Sequence, residues 1–94
     1  MQESKEIKLK INDTELKGNY SNQVNIMHSK HDFVLDFITL FPPEAIVNSR
    51  IIMNPANLKK FYKALEVNLK KYEEQFGVID FDDDFFKDDN NKIN

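Results

Sequence analysis

His28 and His31 are the two imidazoles of this chain, and cysteine is absent. Imidazoles and thiolates are the side chains that most readily bind transition metals or act as base and nucleophile near neutral pH. Here the histidines stand three apart, one at a strand end and one in a loop. Asp32 and Asp36 are the nearby carboxylates. That is not the pattern of a metal site, so both histidines read as structural or loop residues. No Ser/His/Asp order and no paired carboxylates in a recognisable setting mark a catalytic centre. Gly18 and Gly77 are the two glycines, too few and too far apart for a phosphate-cradling loop. No catalytic, metal-binding or cofactor-binding residue is assigned, and a non-enzymatic role is expected.

The charged residues point the same way. The chain has 13 basic and 16 acidic residues and a net charge of −3. The segment from Asp80 to Asn94 holds six aspartates and two lysines, so the body is close to neutral and the end is acidic. A nucleic-acid binder usually carries a basic surplus, and no direct nucleic-acid binding is expected. Lys59, Lys60, Lys63, Lys70 and Lys71 are interleaved with Glu66, Glu73 and Glu74, as on a solvated helix face.

The elements that must hold these residues follow from periodicity. The 94 residues suit one domain with a modest core. Glu6–Ile11 alternates strictly and reads as a first, half-buried strand with lysines toward a sheet edge. Asn19–His28 alternates again, Ser29–Asp32 suits a hairpin loop, and Phe33–Phe41 is a strand apolar on both faces. Pro42-Pro43-Glu44 enforces a turn, since proline has no amide for the ladder. Ala45–Met53 is the fourth strand. Asn54 then caps a helix with Pro55 at its first position. Leu58, Phe61, Tyr62, Leu65, Leu69, Tyr72 and Phe76 form its apolar stripe. Asn68 on that stripe reads as a buried amide bonded to a strand carbonyl or to Asn22. Gly77 stops the helix, and Val78 is placed to fold back on the last turn.

The predicted fold is α+β: a four-stranded antiparallel meander with one long C-terminal helix packed on one face. Residues 1–79 form the domain, and residues 80–94 form an acidic, Asp/Phe-rich disordered tail in which Phe81, Phe85 and Phe86 could dock. The opening residues lack the apolar core of a signal peptide, and no apolar run is long enough to span a bilayer. A cytoplasmic protein is expected.

Register carries the functional expectation. A three-residue Pro42-Pro43-Glu44 turn places Asp36 opposite Arg50, Val34 opposite Ile52, Ile38 opposite Asn48 and Leu40 opposite Ile46. The Ser29–Asp32 hairpin places His28 opposite Phe33, Val24 opposite Phe37 and Asn25 opposite Asp36. One face then collects Val24, Ile26, Leu35, Phe37, Val47, Ile51 and Met53, which a single helix can cover. The other collects Met27, Val34, Ile38, Leu40, Ile46 and Ile52 around a polar node of Asn25, Asp36 and Arg50. No second helix is available for it, and an uncovered apolar face usually marks an interface. Asn25, Met27, Val34, Asp36, Ile38, Arg50 and Ile52 are the candidate interface, with a protein partner or a second copy as its occupant. The alternative is that Asp36 and Arg50 are an ordinary cross-strand surface pair.

Tyr20-Ser21-Asn22, Val24, Ile26, His28-Ser29, Phe33, Leu35-Asp36-Phe37, Ser49-Arg50-Ile51, Pro55, Lys59, Ala64-Leu65, Asn68, Lys71-Tyr72-Glu73 and Phe76-Gly77, taken together, resemble a small bacterial family known as domain of unknown function 3467. The resemblance runs from about Gly18 to Gly77 and implies a compact α+β protein without an assigned activity. Members of the resembled family in the Bacteroidota are often encoded beside genes for the large RNA polymerase subunits. The resemblance therefore implies an accessory subunit of RNA polymerase as the sharpest functional expectation. The order of strands followed by a long helix is also similar to the SecB export chaperones, which form tetramers, and implies a self-assembling binder as the alternative.

Overall fold

The computed structural model describes residues 6–81. Three strands, β1 (Gln23–His28), β2 (Phe33–Phe41) and β3 (Glu44–Met53), form an antiparallel sheet in that order and are followed by one helix, α1 (Pro55–Phe76). The α+β class and the C-terminal helix agree with the sequence reading. The strand number does not: Glu6–Ile11 forms no strand, and a short 3-10 turn, Asp13–Glu15, follows it. Ile7 and Leu9 are 91% and 99% exposed. Alternation describes a chain that suits a ladder, but it does not supply an edge to pair with.

The β1–β2 hairpin has the predicted register throughout, from His28 opposite Phe33 to Val24 opposite Phe37. Its loop closes through the Ser29 amide on the Asp32 carbonyl at 2.9 Å. The β2–β3 hairpin agrees over half its length. Asp36 faces Arg50 and Val34 faces Ile52, but Ile38 faces Val47 and Leu40 faces Ala45. The turn consists of Pro42 and Pro43 alone, joined by a cis peptide, and Phe41 pairs with Glu44. A β-bulge between Phe37 and Ile38 takes up the odd residue, Asn48. Partners across a ladder share a face, so Val47 joins Ile38 and Ile46 moves to the opposite face with Thr39.

The bulge is held by a polar cluster. The Tyr20 carbonyl accepts from Thr39 Oγ1 and from Asn48 Nδ2, each at 2.6 Å, and Asn48 Nδ2 also reaches Thr39 Oγ1. Just before β1, the Asn22 side chain imitates a strand residue. Its Oδ1 accepts from the Leu40 amide at 2.7 Å, and its Nδ2 donates to the Leu40 carbonyl at 3.0 Å. The amide geometry supplies a donor and an acceptor side by side, as a peptide group does.

The core is small and lies on the central strand. Leu35 and Ile38 are its buried hydrophobic residues among those described, each 3% exposed. The helix adds little to it. Asn54 Oδ1 caps the Asn57 amide at 2.8 Å, and Pro55 opens the first turn, as the sequence predicts. Yet no helical residue is buried, and Leu58 and Glu73 are the half-buried ones. The expected packing of the helix on one sheet face is not what forms. The radius of gyration is 17.0 Å and the principal extents are 56 × 33 × 31 Å, against about 12 Å for a compact chain of this size. At the far end Gly77 takes φ +101°, ψ 164°, a region open essentially to glycine. Its amide bonds to the Glu73 carbonyl at 2.9 Å. Val78 does not fold back and is exposed, while the Ile79 amide donates to Glu73 Oε2 at 2.9 Å.

Candidate functional site

The polar node forms as its register requires. Arg50 Nε donates to Asp36 Oδ1 at 2.7 Å and Nη2 to Oδ2 at 2.9 Å, a two-point guanidinium–carboxylate pair. The two partners sit differently: the Asp36 side chain is 5% exposed and that of Arg50 is 59% exposed. The aspartate is thus the buried foot of the pair and the arginine its solvent-facing cap. The hydrogen bonds from Arg50, aided by its charge and opposed by desolvation, hold the Asp36 carboxyl below its ordinary value of 3.8. Across the β1–β2 ladder, Asn25 Oδ1 is buried and has no hydrogen-bond partner among the described residues.

The predicted interface residues divide into two groups around this node. Met27, Arg50 and Ile52 are exposed. Asn25 and Val34 are half-buried, and Asp36 and Ile38 are buried. Ile38, expected at the centre of an open patch, is covered, which makes the accessible part of this face smaller than the sequence reading implied. Of the predicted docking phenylalanines, Phe81 is exposed at the end of the described residues, and Phe85 and Phe86 lie outside them.

A second exposed apolar surface lies on α1. Leu58 is half-buried, and Phe61, Tyr62, Leu65, Leu69, Tyr72 and Phe76 are all exposed. Tyr72 and Phe76 touch ring to ring, with centroids 5.0 Å apart. Asn68, expected to be buried against a strand, is exposed and donates to the Ala64 carbonyl one turn back at 2.8 Å. The spacing held a sign of this. Leu58, Tyr62, Leu65, Leu69, Tyr72 and Phe76 are separated by 4, 3, 4, 3 and 4 residues. That alternation of four and three, with Phe61 at its flank, is the heptad spacing of helices that pair with helices.

The imidazoles are accounted for separately. His28 stacks on its cross-strand neighbour Phe33, with ring centroids 5.3 Å apart, and His31 is exposed in the hairpin loop. No cluster of three or more potential metal ligands exists among the described residues, and none of their helices is long and apolar enough to cross a membrane.

A family model described as a protein of unknown function (DUF3467) matches residues 1–81. The chain belongs to this family. The match spans more of the chain than the Gly18–Gly77 resemblance and takes in the sheet, the Asp36–Arg50 pair and the whole of α1. Comparison with curated proteins and with solved structures gives no match.

Proposed function

We propose that this protein is a non-catalytic, cytoplasmic, protein-binding subunit that completes its own core by assembling with other chains. One observation carries this reading: two hydrophobic side chains are buried among the described residues, while five of the six residues of an apolar seam lie exposed on a helix of 22 residues. Most helical stability in proteins comes from packing an apolar face rather than from propensity. An exposed apolar surface of this kind suits binding to another protein.

The sheet face around the node is the proposed contact for a different protein. Met27 and Ile52 supply apolar area there. Arg50 spends Nε and Nη2 on Asp36, which leaves Nη1 to donate to an acceptor on the partner. Family resemblance makes RNA polymerase the candidate partner. Purification of the tagged chain from native cells is expected to bring down the large polymerase subunits in fixed ratio, and Met27→Asp/Ile52→Asp is expected to abolish that recovery. Absence of polymerase subunits from the native preparation would sink this partner. A self-assembling binder is the second reading, favoured by the symmetry of the helical seam.

A further inference from the structure

We propose that two copies of the chain pair antiparallel along α1. This deepens the assembly reading above but uses a different surface, so the sheet face stays available to another protein.

The seam is three heptads long, with Leu58, Leu65 and Tyr72 at d and Tyr62, Leu69 and Phe76 at a. In an antiparallel pair, an a residue of one helix lies in a layer with a d residue of the other. The spacing here reads the same in both directions. Leu58 therefore meets Phe76 of the second copy, Tyr62 meets Tyr72, and Leu65 meets Leu69, each layer occurring twice. Every layer joins two large apolar side chains, and none is left facing water.

The flanks choose the orientation. Lys59, Glu66 and Glu73 stand at e, and Phe61, Asn68 and Gln75 at g. Antiparallel pairing sets e against e. Lys59 then meets Glu73 of the second copy at both ends of the interface. Glu66 meets its own copy at the centre, where Lys63 Nζ lies 4.0 Å from Glu66 Oε1 and offsets the repulsion. On the other flank, Asn68 meets Asn68, and two amides can exchange hydrogen bonds. Glu73 keeps one oxygen for this contact, because only its Oε2 accepts from the Ile79 amide. Parallel pairing sets g against e, placing Phe61 beside Glu66 and Asn68 beside Glu73, and forms no ion pair. It also brings both sheets to the same end of the helix pair, where they compete for space.

Sedimentation of the full chain is expected to show a concentration-dependent dimer of the 11.1 kDa chain. Lys59→Glu alone and Glu73→Lys alone should each weaken it roughly tenfold, since each turns two attractive pairs into two repulsive ones. An equal mixture of the two variants should recover the original affinity, because both ion pairs re-form in the mixed dimer. Orientation is read separately, in a background that has no cysteine of its own. Leu65→Cys and Leu69→Cys chains, mixed and oxidised, should cross-link to each other and not to themselves. Cross-linking of Leu69→Cys with itself would overturn the antiparallel arrangement. A monomer at every concentration would overturn the pairing altogether. Ile52→Asp should leave the dimer mass unchanged, so loss of polymerase recovery and loss of the dimer are independent results.

Discussion

At the scale of single residues, Asp36 and Arg50 show how much one ladder position decides. The carboxylate is buried and the guanidinium is not, so removing the two partners has unequal consequences. Arg50→Met strands a buried charge, whereas Asp36→Asn leaves an arginine that water can solvate. Arg50→Met is therefore expected to lower the urea midpoint more than Asp36→Asn does. The carboxyl is held below its ordinary value of 3.8, so the pair stabilises fully above that value. Its contribution is lost as pH falls further, through the lowered folded-state value. The gap in urea midpoint between the parent and Asp36→Asn should therefore stay constant near neutrality and close only as the pH falls below the ordinary carboxyl value of 3.8. Asn22 offers a second test. Asn22→Ala removes both bonds to Leu40 and should cost about 1–2 kcal/mol in urea unfolding. Asn22→Asp keeps the acceptor for the Leu40 amide and should lose about half as much.

At the scale of elements, what the sequence revealed was set by local chemistry. The helix limits follow from Asn54, Pro55 and Gly77. The first hairpin and the Asp36–Arg50 pairing follow from alternation and turn length. The misplaced half of the second hairpin came from one residue: with proline at both turn positions, either two or three loop residues were compatible with the pattern. Nothing local announces that a bulge at Asn48 restores the count. The strand expected at Glu6–Ile11 and the docked helix failed for a different reason. Periodicity states which face of an element avoids water, but it does not state which neighbour, or which molecule, provides the cover. Glu6–Ile11 and α1 are both correct as patterns and both uncovered in the single chain. If Glu6–Ile11 adds nothing to the sheet, deletion of residues 1–11 should change the unfolding free energy by less than about 0.5 kcal/mol. Asn54→Ala, by contrast, should cost about 1 kcal/mol through the lost cap, read as reduced helical circular dichroism on mild heating.

At the scale of the whole molecule, the elongated shape and the thin core belong together. A chain whose apolar seam is covered by a second copy gains stability by mass action, so its melting temperature should climb by several degrees for each tenfold rise in protein concentration. A self-sufficient monomer would melt at one temperature throughout. Leu65→Asp alters an exposed side chain at the middle of the helical seam. It should abolish the concentration dependence and leave the β-sheet signal in place. Pairing along the seam would also couple abundance to survival. Solitary copies, with their helix poorly held, would be the ones that proteases find first, and surplus molecules would be cleared until supply matched the number of available companions.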